Sequence, residues 1–187
     1  MSTSISFDVL QFGKYPSSRQ VGREGRASLD DLLETHPNID VTIDFSGVEV
    51  MNISFVDEFV GKFLTSHDFA AEGATIKVAG LNSDNRYSLL VAVERREAEI
   101  VVVDDSGNLE LIGDKILAET FQCALDLFSF KANDLAAKMT LTAQNANNRL
   151  KRLAKAGAVR KTQVTGSARG GREFEYEALP VQLPAPA

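Results

Sequence analysis

Ile39-Asp-Val-Thr-Ile-Asp-Phe-Ser-Gly-Val48, continued by Asn52-Ile-Ser-Phe-Val-Asp-Glu-Phe59, is the stretch whose reading decides the fold. Ile39, Val41, Ile43 and Phe45 alternate with Asp40, Thr42 and Asp44, a period of two that predicts a strand with one buried face and its aspartates on the outer one. Ser46-Gly47 breaks the pattern, and Ser54-Phe-Val-Asp57 opens a helix on which Phe55, Phe59 and Phe63, with Val56 and Val60, share an apolar face. Upstream, Ser28-Leu-Asp-Asp31 resembles a capping box and starts a helix carrying Leu29, Leu32 and Leu33 that stops ahead of Pro37. Before it, Arg19, Arg23 and Arg26 with Gly22 and Gly25 predict a solvated loop; the alternative is an anion clasp of guanidinium and backbone N–H groups. Downstream, Thr75 to Ala79 reads as a strand, Asp84 to Arg95 as a helix, and Ile100 to Val103 and Leu109 to Ile112 as strands flanking the turn Asp105-Ser-Gly-Asn108. The order strand, helix, strand, helix, strand, helix, hairpin implies an α/β sandwich over residues 1–113, a sheet with helices packed against it.

Val41-Thr-Ile-Asp-Phe-Ser-Gly-Val48 with Asn52-Ile-Ser-Phe-Val-Asp-Glu-Phe59 resembles the STAS-like domains of bacteria, relatives of the anti-sigma-factor antagonists, over roughly Ser28 to Val93. In the antagonists the helix after this strand begins with an Asp-Ser-Ser-Gly motif whose second serine is phosphorylated. Ser54 falls at that serine's place, while Asn52 stands for the aspartate, Ile53 for the first serine and Phe55 for the glycine. The residues themselves read Ser54 as a helix cap whose hydroxyl accepts a bond from an N–H near Asp57. The resemblance implies the other reading, a phosphosite at which the helix dipole stabilises the added charge and a partner surface is gated.

The second half is built differently. Ile116, Leu117, Phe121, Ala124, Leu125 and Phe128 mark an apolar stripe on a helix from about Asp114 to Phe128. Asn133 is placed to cap a short helix with Leu135, Ala136 and Met139 inward, Thr140-Leu-Thr142 makes a turn, and a second helix runs from Ala143 to Lys155 and stops at Gly157. At 100° per residue Ala146, Leu150 and Leu153 share one face, and Gln144, Asn145, Asn148, Lys151, Arg152 and Lys155 lie on the other. Val159 to Val164 and Glu173 to Ala178 read as strands joined by Thr165-Gly-Ser-Ala-Arg-Gly-Gly-Arg172.

Charge follows the same division. From Lys131 onward there are ten basic and four acidic residues, a net of +6, so the net charge of −6 leaves −12 on the first 130 residues. No acidic residue occurs between Lys138 and Lys161, whereas a merely soluble helix mixes both signs. A basic face binds polyanions locally, because charges beyond about 8 Å are screened at physiological salt.

Asp134-Leu-Ala-Ala-Lys138, Ala146-Asn-Asn-Arg-Leu-Lys-Arg-Leu153 and Ala156-Gly-Ala-Val159, with the helix and strand order, resemble a winged helix-turn-helix domain of bacterial transcription regulators over residues 114–179. The resemblance implies that the third helix enters the major groove of double-stranded DNA and the strand hairpin lies along the backbone. Gln144, Asn145, Asn148 and Arg152 are then expected at base edges, and Lys151, Lys155, Lys161, Arg169 and Arg172 at phosphates. The alternative is a docking or dimerisation module with a solvated basic face.

Other chemistry is thinly represented. Cys123 is the single cysteine, which allows no disulfide within one chain, fits a reducing compartment and reads as a core filler. His36 and His67 stand in no metal-ligand spacing and are expected at the surface at helix ends. No phosphate-binding loop, dinucleotide fingerprint or paired nucleophile and base is present, so no enzymatic activity and no cofactor are expected. No secretory leader and no membrane-length apolar run is found, which predicts a cytoplasmic location, and residues 180–187, rich in proline, read as a disordered tail. The combined expectation is a DNA-binding transcriptional regulator without metal or cofactor, whose STAS-like domain mediates homodimerisation or receives a regulatory protein or signal. The runner-up is a partner-switching regulator that acts through protein contacts around Ser54.

Overall fold

The computed structural model describes residues 2–164 and 172–178. Strands β1 (Thr3–Asp8), β2 (Ile39–Asp44), β3 (Thr75–Ala79), β4 (Ile100–Val103) and β5 (Leu109–Ile112) form one sheet in that order. The first four are parallel neighbours, and β5 returns antiparallel on β4. Parallel pairing requires crossovers, which here are helical. They are α1 (Arg19–Thr35), then α2 (Ile53–Val56) and α3 (Lys62–Ser66) joined by a π-helical turn over Asp57–Gly61, then α4 (Phe69–Glu72), and finally α5 (Ser83–Arg95).

The first helix starts well ahead of the predicted Ser28. Ser18 caps it, its Oγ accepting the Val21 N–H at 3.1 Å. The glycines that suggested a loop are its contact points. A Cβ on Gly22 would lie 2.8 Å from the Phe55 carbonyl oxygen, and one on Gly25 would lie 2.9 Å from the Phe59 ring. Glycine costs about 1 kcal/mol in a helix interior, a cost offset here by the close approach of two backbones. Phe59 sits at the centre of the core that results, its ring 5.4 to 6.4 Å from those of Phe55, Phe7, Phe12 and Phe45.

Hairpin β4–β5 serves two cores. Ile100, Val102 and Ile112 face the first, while Val101 and Leu111 on the opposite face join a second core with Leu117, Phe121, Leu135, Leu150, Leu153 and Tyr176. That second core is built by α6 (Lys115–Leu127), β6 (Ser129–Lys131), α7 (Ala132–Met139), α8 (Ala143–Lys155), β7 (Arg160–Val164) and β8 (Glu173–Glu177), with a three-stranded antiparallel sheet in the order β6-β8-β7. Strand β6 is too short to carry a periodic signal and exists through its pairing with β8. Helix α7 is not capped by Asn133 as expected: the Lys131 N–H donates to Asp134 Oδ2 at 2.8 Å. Thr142 caps α8 by accepting the Asn145 N–H at 3.2 Å. Cys123 is partly buried against this second core.

The two halves are tied along α8 and β7. Gly157, at φ +73°, ends α8 and its carbonyl accepts the Ile76 N–H of β3 at 2.9 Å. Arg160 pairs with Asp40 and donates to the Gly73 carbonyl at 2.9 Å. Asp40, expected on a solvent face, is therefore only 9% exposed. Covering of that end of the sheet by the second half makes β2 buried on both faces there.

Candidate functional site

Helix α8 presents Gln144, Asn145, Asn148, Lys151, Arg152 and Lys155 as exposed residues, and buries Ala146, Leu150, Leu153 and Ala154. Gln144, Asn148, Lys151 and Lys155 recur at i, i+4, i+7 and i+11 and line one face. Asn147 is exposed beside them and was not among the predicted residues; its position one turn ahead of Lys151 is the signal that marks it. Gln144 Nε2 donates to Asn148 Oδ1 at 3.1 Å, which aligns the two amides.

The arginines of this helix are engaged elsewhere. Arg149 donates to Asn145 Oδ1 and to Thr120 Oγ1 of α6, each at 3.2 Å. Arg152, expected at a base edge, bonds Glu99 at 2.9 Å and reaches Asp114 at 3.5 Å. The reason is its position on the wheel, which turns it toward the β4–β5 side. Burial pushes the Glu99 carboxyl up and the Arg152 guanidinium opposes that shift. Asp114 is held below the usual carboxylate range by the Leu117 N–H, aided by the Ile116 N–H and Arg152.

Beyond α8, Lys161 lies 3.9 Å over the Phe174 ring, and Arg172 is exposed at the start of β8. Arg169 and the rest of the connection from Thr165 to Gly171 lie outside the described residues, as does the segment 180–187.

At the other end of the molecule Asn52, not Ser54, caps α2: the Ser54 N–H donates to Asn52 Oδ1 at 2.8 Å. Asn52 supplies the capping oxygen, so the Ser54 hydroxyl is not needed for it and has no hydrogen-bond partner among the described residues. Exposed Tyr15 and Val50 flank a cleft of about 400 Å³ that Pro16, Asn52 and Ile53 also line.

Asp57 and Glu58, next along the helix, are buried at 4% and 3% exposure by the π-helical turn. Arg96 grips Asp57 with Nε at 2.7 Å and Nη2 at 3.0 Å, and Lys62 holds Glu58 at 2.8 Å. Arg26 approaches Glu58 to 3.5 Å, and Arg19 lies 3.8 Å from Asp57 and 3.7 Å from Glu58. Two of the three arginines predicted in a loop, Arg19 and Arg26, thus clasp the chain's own carboxylates from α1. The hydrogen bond from Arg96 holds Asp57 low, and that from Lys62 holds Glu58 low, each against the opposing effect of burial.

His67 is likewise not a surface residue. Its ring nitrogens lie 2.8 Å from Asp30 and 2.7 Å from Glu72, and its ring packs on Phe63 and Phe69. Burial lowers its pKa, but the bonds to Asp30 and Glu72 outweigh burial and raise it above the ordinary imidazole value. His36 caps the end of α1. No group of three or more metal-ligating side chains occurs among the described residues, and none of their helices is long and apolar enough to cross a membrane.

These features define a mixed α/β protein with a parallel-strand sheet. Residues 29–86 match the family model of a STAS-like domain of unknown function (DUF4325). The matched segment runs from within α1 to within α5 and includes β2, the Asn52-capped helix and β3. No curated protein and no solved structure matches the chain.

Proposed function

We propose that the protein is a DNA-binding transcription regulator in which residues 114–179 act as a winged helix-turn-helix domain and the STAS-like domain supplies dimer contacts or receives a signal. The observation that carries this reading is α8 itself, a helix packed by aliphatic residues on one side and bearing, after Ala143, only amides and cations on the exposed other. The helix α6, the pair α7–α8 and a sheet ordered β6-β8-β7 support it, because that arrangement suits a helix laid in a major groove beside a strand hairpin. Gln144, Asn145 and Asn148 serve base edges, and Lys151, Lys155, Lys161, Arg169 and Arg172 serve phosphates. Two copies would bring two such helices to successive half-sites. The reading involves no catalytic step.

Fluorescence anisotropy with duplex DNA tests it. Log K is expected to fall by about 0.9 per phosphate contact per log unit of salt, and replacing Lys151 by Ala should reduce the slope by about 1. Weak binding that is flat across the salt series would reject DNA as the partner.

A second reading, partner switching, is supported by the Ser54 hydroxyl, spared from capping and set beside the Tyr15 and Val50 cleft. Under it Ser54→Asp changes the set of proteins retained by the full chain, and phosphate is found on Ser54 after incubation with extract and ATP. Retention of the same proteins at wild-type affinity, with no phosphate on Ser54, removes this reading.

A further inference from the structure

The exposed stripe of α8 carries more information than its charge. A recognition helix reads bases chiefly with its N-terminal residues, and the side chain type fixes which base is read. Guanine is most often read by arginine, whose fork matches O6 and N7. Both arginines of α8 are withdrawn from that role. Arg149 is tied to Asn145 and Thr120, and Arg152 to Glu99 and Asp114.

What remains on the N-terminal half of the exposed face is amide: Gln144, Asn147 and Asn148, with Asn145 beside them engaged by Arg149. An amide offers one acceptor and two donors, the complement of adenine's N6 amino group and N7. The bond from Gln144 Nε2 to Asn148 Oδ1 uses one donor of the first residue and one lone pair of the second. Gln144 keeps its oxygen and a second N–H, and Asn148 keeps its amino group and a second lone pair, so both retain a donor and an acceptor for a base edge. Lys151 and Lys155 continue the same line toward the C-terminus, where cations suit the flanking phosphates.

We infer that α8 reads A·T base pairs, with Gln144, Asn147 and Asn148 as the specificity-determining residues. The inference rests on the DNA-binding reading and deepens it. It also gives the first half of the chain a part in specificity: Glu99, with Asp114 at the start of α6, keeps a guanine-reading side chain off the stripe.

The test is selection of bound sequences from a random duplex pool by the full chain, followed by the same selection with Gln144→Ala, Asn148→Ala and Asn148→Arg. The wild type is expected to enrich half-sites with adjacent A·T pairs. Each alanine variant, checked for an unchanged circular dichroism spectrum and Tm, should lose roughly 5- to 150-fold in preference at one position while keeping its salt-dependent binding to unselected duplex. Asn148→Arg should move that position toward G·C. Half-sites dominated by G·C in the wild type, or an unchanged motif in both alanine variants, overturn adenine reading and leave DNA binding intact. Absence of salt-dependent binding to any duplex overturns the DNA-binding reading, and this inference with it.

Discussion

Replacing Arg96 by Ala is expected to destabilise the protein by about 3 kcal/mol at neutral pH, with the loss shrinking as the solution is acidified. Asp57 is 4% exposed and receives both arginine bonds, so removal of the guanidinium leaves a buried carboxylate without its two hydrogen-bond donors. Breaking a buried pair by deleting one partner costs roughly 3–5 kcal/mol, and the lower figure applies because Arg19 still lies 3.8 Å away. In the wild type the folded-state pKa of Asp57 is depressed. Its contribution is therefore present above the unfolded value, about 3.9, and is lost as pH falls through the folded one. In the variant burial acts unopposed by Arg96, which raises the folded pKa, so acid stabilises the variant relative to the wild type. Urea denaturation at a series of pH values should show the two stabilities converging through the carboxylate range. A pH-independent difference would mean that Arg96 acts by packing over Gly61 alone, where a Cβ would meet its Cδ at 2.9 Å. Pairing Arg96→Met with Asp57→Leu should recover part of the loss, since no charge is then stranded.

The same residues explain why part of the fold could be read from the sequence and part could not. Strand β3 and helix α8 agree with the predicted bounds because each has an uninterrupted period and a sharp stop, Gly80 for one and Gly157 for the other. Helix α1 was obscured because its buried side includes Gly22 and Gly25, which have no hydropathy to display; their role depends on Phe55 and Phe59, far along the chain. Asp40 reads as solvent-facing because a single strand cannot reveal what covers its polar face, and Arg160 does so across 120 positions. The exposed amides of α8 followed from helical spacing alone. The diversion of Arg152 did not, since Glu99 and Asp114 belong to other elements. Local period is a property of a segment, whereas the partner of a charge is a property of the fold.

That long-range partnership gives the second large effect. Arg160 is the side chain that fixes β7 to the sheet of the acidic half, pairing with Asp40 and donating to the Gly73 carbonyl, and its side chain is 15% exposed against 11% for Asp40. Arg160→Ala leaves Asp40 with the Thr75 hydroxyl as its remaining hydrogen-bond donor. A loss of about 3 kcal/mol is expected, at the low end of the range for a broken buried pair because the Thr75 bond survives and Arg160 Nε has no partner to lose. The loss should be uneven. The first core does not use Arg160, whereas the Gly157–Ile76 bond and the packing of α8 on α4 lie next to it. Amide hydrogen exchange should therefore quicken in β7, β8 and the last turn of α8 more than in β1, β2 or α5. Asp40→Asn combined with Arg160→Ala should restore stability relative to the single variant, because the stranded charge is gone, but should leave exchange in β7 fast, because the tether is gone as well. Uniform acceleration across both halves would mean that the two cores open as one unit and that Arg160 supports the whole fold. Acceleration confined to β7, β8 and α8 would identify this ion pair as the mechanical link through which the STAS-like domain holds α8.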